Sequence, residues 1–93
     1  MEHSASSTAA LAPNADVVAR RMGAGVVLVH LATNRIFELN DTGARIWELI
    51  NERVSEGRIV DALVREFNVG REQAGMELAR VIGELRGEGL LLP

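Results

Sequence analysis

VVLVHLATNRIFELNDTGARIWELI, residues 26–50, changes from a strand-like to a helix-like pattern of hydrophobic residues near position 40. Its first part contains two short runs, residues 26–31 and 35–39, which are rich in β-branched or alternating apolar side chains. Two such runs joined by about three turn-forming residues predict antiparallel strands. Residues 40–42, Asn-Asp-Thr, then offer three side chains that can cap a helix N-terminus. A helix is therefore expected from there to about Asn51.

The flanking sequence extends this pattern to three strands followed by three helices. Residues 16–22 form another short run that ends in a glycine-rich turn, which predicts the first strand. Ser55 is expected to cap a second, amphipathic helix that ends near Phe67, and a third helix is expected from residue 71 to about 88. Residues 90–93 should form a short extended segment against the core. The predicted fold class is α+β and winged-helix-like: a three-stranded antiparallel sheet followed by three helices, βββααα.

The sequence predicts one folded domain behind a polar N-terminal tail. Ninety-three residues are enough for a single domain. Residues 1–14, MEHSASSTAALAPN, lack hydrophobic periodicity and are expected to be disordered, so the domain should span 15–93. No stretch resembles a signal peptide or approaches the roughly 20 apolar residues of a membrane span. A cytoplasmic protein without a membrane partner is therefore expected.

The residue inventory argues against an enzyme. Cysteine is absent and only two histidines occur, so thiol chemistry and a histidine-rich metal site are excluded. The glutamates of the third helix have the spacing of a solvated face, and no catalytic group of residues is recognisable. The sequence predicts no catalysis, no cofactor and no metal.

Charge argues against nucleic acid, although the order of the helices leaves a DNA-binding alternative open. Ten arginines and no lysine stand against thirteen acidic residues, a net charge of −3. Such a chain can neutralise few phosphates. The turn Asn68-Val69-Gly70 nevertheless joins two predicted helices as in a winged helix-turn-helix regulator of transcription. The expectation is no nucleic-acid partner, with that regulator as the alternative.

Small residues line one flank of the predicted third helix. Gly75, Ala79 and Gly83 recur every four residues, with Met76 and Arg86 beside them. Glycine inside a helix costs about 1 kcal/mol relative to alanine, so two aligned glycines need a reason. One explanation is a shallow channel where another backbone approaches. The other is close packing against the sheet or first helix of the same chain.

The third predicted strand is the less protected edge of the sheet. An exposed edge presents unpaired N–H and C=O groups that an extended peptide can complete. The first strand carries several charges, whereas residues 35–39 carry only Arg35 and Glu38. Strand addition is therefore expected beside the third strand. The alternative is that the N-terminal tail or a dimer partner covers both edges.

The motif in residues 37–47 resembles the signature of the PqqD-like family. Its elements are Phe37, Leu39-Asn40, Thr42-Gly43 and Ile46-Trp47. The similarity extends over roughly residues 16–92. Members of this family are recognition elements for ribosomally made, post-translationally modified peptides. The resemblance implies a winged-helix-like domain without catalysis, which holds the leader segment of a precursor peptide as an added strand and presents it to modifying enzymes.

The resemblance also implies a partner and a set of contact residues. Short stand-alone members serve lasso-peptide clusters, where the partner is a cysteine-protease-like leader peptidase, and this type is favoured here. A peptide chaperone in pyrroloquinoline quinone biosynthesis is the alternative. Leu39 and Trp47 are expected in the core, and Asn40 as a helix cap. The predicted peptide-binding residues are Arg35, Ile36, Phe37, Glu38 and Leu39 of the strand, and Met76, Ala79, Arg80 and Gly83 of the third helix.

Overall fold

The computed structural model describes residues 11–93, in which three antiparallel strands precede three helices. The strands are β1 (Val17–Met22), β2 (Gly25–His30) and β3 (Arg35–Leu39), and they form one sheet in the order β1-β2-β3. The helices are α1 (Asp41–Asn51), α2 (Glu56–Phe67) and α3 (Arg71–Gly87). The predicted βββααα order is confirmed.

Asn40 ends the sheet and begins α1. Its side-chain Oδ1 accepts a hydrogen bond from the Gly43 N–H at 2.9 Å, so the predicted cap is confirmed. A Cβ atom on Gly43 would lie 3.1 Å from Cδ2 of Leu39, tighter than ordinary van der Waals contact. Glycine therefore lets the first turn of α1 lie directly on the last residue of β3. At the predicted cap of α2, by contrast, the Ser55 side chain makes no capping hydrogen bond.

The core lies between the sheet and the helices. Alternate residues of β2, Val26, Leu28 and His30, are buried on the inner face, against which α1 packs. Val27 and Val29 of the same strand are only half-buried. Strand β2 is therefore fully covered on its inner face only.

One face of α3 is buried at the three- and four-residue spacing of a helix, and we call it the core stripe of α3. Its buried residues include Ala74, Leu78, Val81 and Leu85. Among the helices described in residues 11–93, none is long and apolar enough to cross a membrane.

The two ends of the described chain lie side by side. Pro13 forms an isolated antiparallel bridge with Leu91, and the Asn14 N–H donates to the Leu90 carbonyl oxygen at 2.9 Å. Leu11 is 7% exposed and belongs to the core. Most of the expected disordered tail, residues 1–10, lies outside the described residues. Residues 11–14 differ from the expectation, because Leu11 is buried and residues 12–14 pair with the C-terminal segment.

Candidate functional site

Strand β3 forms one edge of the sheet, and two of its residues have backbone groups that β2 does not use. The Leu31 N–H donates to the Asp16 carbonyl oxygen at 2.8 Å, so odd-numbered residues of β2 bond towards β1. Antiparallel pairing alternates along a strand. Even-numbered residues of β2 therefore bond towards β3, and in that register they face residues 35, 37 and 39. It follows that the N–H and C=O groups of Ile36 and Glu38 point outward from the sheet edge.

The side chains of β3 alternate as predicted. Ile36 is 67% exposed and Glu38 is also exposed, whereas Leu39 is buried and Phe37 packs partly buried against the core. One set of side chains anchors the strand, and the other leaves the outer face of the sheet accessible.

A cleft separates β3 from α3, and we call it the β3–α3 cleft. Its volume is about 390 Å³, within the range of ligand-binding pockets. The strand and its junction with α1 form one wall, and one face of α3 forms the other. The lining residues are Glu38, Leu39, Asn40, Gly43, Arg80, Val81 and Glu84.

Ion pairs organise the helix wall of this cleft. Arg80 Nη2 lies 2.6 Å from Glu77 Oε2, and Arg80 Nη1 lies 2.7 Å from Glu84 Oε2. Hydrogen bonding to Glu77, followed by the attraction of both carboxylates, raises the pKa of the Arg80 guanidinium. The glutamates that the sequence assigned to a plain solvated face thus hold Arg80 at the rim of the cleft. No sequence signal marked Glu84, because spacing alone does not say which flank of α3 meets β3.

Of the four helix residues predicted to contact a peptide, one lines the cleft and three do not. Arg80 lines the β3–α3 cleft, but Met76, Ala79 and Gly83 do not. At about 100° per residue they lie about 140–160° around the helix from Val81, whose side faces the cleft. All three are exposed. The side of α3 that faces β3 carries Arg80, Val81 and Glu84. The small residues Ala79 and Gly83 lie on another side of the helix.

The glycines of α3 do not mark close internal packing. A Cβ atom on Gly75 or Gly83 would meet no other atom within 4 Å in the described part of the chain. The flank is open, so neither the sheet nor α1 explains why glycine stands there.

The opposite edge of the sheet has a second cavity, of about 430 Å³, between β1 and α1. Trp47 borders it but is only 6% exposed, so its predicted place in the core is confirmed. An ion pair between Arg21 of β1 and Glu48 of α1 spans this cavity. Arg21, one of the charged residues of the first strand, is therefore paired with the neighbouring helix.

The fold and this site define a winged-helix-like domain in which the outer edge of β3, beside the last helix, pairs with no other strand of residues 11–93. Residues 25–91 match the family described as coenzyme PQQ synthesis protein D (PqqD), and the chain belongs to that family. Among curated proteins, a comparison finds no match.

Two solved structures are similar to this chain. One is TbiB1 in complex with the TbiA(beta) leader peptide, with 34% identity and a TM-score of 0.81, covering 86% of this chain and 93% of that chain. The other is lasso peptide synthetase B1 complexed with the leader peptide, with 24% identity and a TM-score of 0.82, covering 89% of this chain and 98% of that chain. The second likeness is one of fold alone.

Proposed function

We propose that this protein binds the leader segment of a ribosomally made precursor peptide, of the lasso-peptide type, as a fourth strand beside β3. The observation that carries the proposal is the pair of outward-pointing backbone positions, Ile36 and Glu38, at the mouth of the β3–α3 cleft. Main-chain hydrogen bonds would supply affinity, and side-chain pockets would supply specificity. Membership of the PqqD family and the similarity to TbiB1, solved with a leader peptide, support it.

Side chains of an added strand alternate between two surroundings. Those pointing inward enter the β3–α3 cleft, where Leu39 and Val81 offer apolar contact and the Arg80–Glu84 pair offers charge. Those pointing outward continue the exposed face that carries Ile36. The inward positions of the leader therefore determine which peptide is held.

The protein acts by holding the leader rather than by catalysis, with no cofactor. As the product of a lasso-peptide biosynthetic cluster it would act in the cytoplasm and deliver the precursor to a cysteine-protease-like leader peptidase. This part of the proposal is based on the family resemblance. A peptide chaperone in pyrroloquinoline quinone biosynthesis would use the same site. The two functions differ in the precursor peptide that the protein would bind.

The charges of α3 favour peptide over DNA. Arg80 is held between two glutamates, and Arg71 Nη2 lies 2.8 Å from Asp61 Oδ1. Arginines already paired with carboxylates contribute little to phosphate neutralisation. We expect no sequence-selective binding of duplex DNA, and a sequence-selective mobility shift at submicromolar protein would favour the regulator instead.

Amide hydrogen exchange tests the proposed strand addition directly. The leader segment of the precursor encoded beside this protein is titrated into it, with a scrambled peptide of the same composition as control. The Ile36 and Glu38 amides should exchange rapidly in the free protein and become protected in the complex. Binding without protection at either amide would place the peptide elsewhere, and absence of binding would contradict the proposed function.

A further inference from the structure

The outer face of the sheet, directed away from the helices, is an exposed apolar surface. Val18 is 50% and Ile36 is 67% exposed, and Val27 and Val29 between them are half-buried. Helix α1 packs against β2 and β3 on the inner side of the sheet, and its ion pair with Arg21 of β1 lies on that side too. This outer face is therefore unpartnered within residues 11–93.

Pairing across the strands arranges the outer face in two rows. Val18 of β1 is opposite Val29, and Val29 is opposite Ile36 of β3, which makes an apolar row. In the next row Arg20 is opposite Val27, and Val27 is opposite Glu38. The second row thus carries a cation at one end, an apolar centre and an anion at the other end.

We propose that this face is the contact between two copies of the chain, related by a two-fold axis along β2. Rotation about an axis in the contact plane and parallel to the strands brings β1 of one copy opposite β3 of the other. Arg20 then faces the partner's Glu38, and Val18 faces the partner's Ile36, each contact occurring twice. Val27 and Val29 meet their own counterparts near the axis. The face is complementary to itself, as a two-fold interface requires.

Arg20 and Glu38 are the charged residues of the second row. Neither Arg20 nor Glu38 forms a salt bridge with another residue of the described range 11–93. Within one sheet they are two strand spacings apart, about 10 Å, with Val27 between them. In the face-to-face contact, Arg20 and Glu38 each lie opposite a residue of the other charge, at the border of the apolar centre.

The size of the face limits the strength of the contact. It is three strands wide, about 10 Å between its outer strands, and about 20 Å long. Stable dimers bury about 800 Å² on each partner, so a contact of this size is weak. We expect self-association with a dissociation constant of about 10–500 μM. The contact uses the face of β3 and leaves its edge open.

Sedimentation equilibrium between 10 μM and 1 mM protein tests the proposal without any leader peptide. Wild-type protein should change from monomer to dimer across this range. Arg20→Glu and Glu38→Arg should each weaken dimerisation at least tenfold, because each leaves like charges facing across the axis. The double variant restores opposite charges and should recover to within about threefold of wild type. Glu52→Arg, an exposed position beyond α1 with the same charge change as Glu38→Arg, is the matched control and should dimerise normally.

Amide chemical shifts supply a second measurement that does not depend on variants. Those of Val27 and Val29 should move with protein concentration, while amides of α2 stay constant. A wild-type chain that remains monomeric at 1 mM overturns the proposal, as does a double variant as weak as the single ones. Since leader binding is measured separately at the edge of β3, failure here leaves the proposed function intact.

Discussion

Arg35, the first residue of β3, pairs with Glu88, the C-cap residue of α3, through two contacts. Nε lies 3.0 Å from Oε1, and Nη2 lies 3.2 Å from Oε2. This pair joins the start of the strand to the end of the helix, so the two walls of the β3–α3 cleft are linked at one end. At the other end, Asn40 and Arg80 line the cleft.

Proline at the outward positions of β3 should weaken leader binding without unfolding the protein. Ile36→Pro and Glu38→Pro each remove an N–H that points away from β2. We expect a loss of at least tenfold in affinity, about 1.4 kcal/mol, measured by calorimetric titration. Ala19→Pro is the matched control, since the same alternation points the Ala19 N–H outward at the opposite edge. Circular dichroism melts verify folding, and equal weakening by Ala19→Pro would contradict the assignment to β3.

Trp47→Ala should destabilise the domain by about 3–5 kcal/mol, because a large buried side chain leaves a cavity. For a small domain this is a large part of the total stability. Urea denaturation followed by circular dichroism measures it. A variant that unfolds at the same urea concentration as wild type would show that Trp47 contributes nothing to the core.

Alanine at the glycines of α3 should stabilise the protein. Nothing in the described chain lies within 4 Å of the added Cβ at Gly75 or Gly83, so only helix propensity changes. We expect a gain of about 0.5–1 kcal/mol at each position. Leader affinity should stay within about twofold of wild type, because neither residue lines the β3–α3 cleft. A large loss of leader affinity with Gly83→Ala would indicate that the peptide binds on the flank of α3 that carries Gly75, Ala79 and Gly83.

Glu66 should make stability depend on acid pH. Its carboxylate meets the Arg45 guanidinium at two points, 2.9 Å and 3.1 Å, and this hydrogen bonding holds the pKa of Glu66 below its ordinary value of 4.5. The folded state therefore favours the ionised form. Its contribution is present above pH 4.5 and is lost as the pH falls through the lowered pKa.

Replacing Glu66 measures that contribution. Glu66→Gln should be less stable than wild type at pH 7, by less than about 1 kcal/mol since the pair is partly exposed, and the difference should shrink as the solution is acidified. Glu52→Gln, at an exposed position just after α1 without an ion pair in the described chain, is the control. A difference for Glu66→Gln that stays constant down to pH 2 would contradict the electrostatic origin.

Local chemistry explains why much of the fold could be predicted from the sequence. The change from strand to helix at Asn40 is accompanied by a capping hydrogen bond from Gly43, three residues further on. The alternation between exposed Ile36 and buried Leu39 follows from the pleat of the strand alone. Both are properties of neighbouring residues, so a single sequence reports them. The core stripe of α3 was equally accessible, because burial follows the helical period.

The helix wall of the site could be predicted only in part, because it depends on how two distant elements meet. Both flanks of α3 border its core stripe, and the spacing of Gly83 and Glu84 does not distinguish the flank that faces β3. The pairing of Ala12 and Pro13 with the C-terminal segment likewise joins residues about 80 positions apart. Composition alone favoured disorder there.

The paired terminal segments give the domain adjacent points of entry and exit. The Leu92 N–H donates to the Ala12 carbonyl oxygen at 2.8 Å, one step beyond the Pro13–Leu91 bridge. A short linker could therefore close the backbone into a ring, and a cut at the Gly23-Ala24 turn would yield a circular permutant with the same core. For the same reason the domain could be inserted into a surface loop of a host enzyme as a cassette, because its two connections begin only a strand spacing apart.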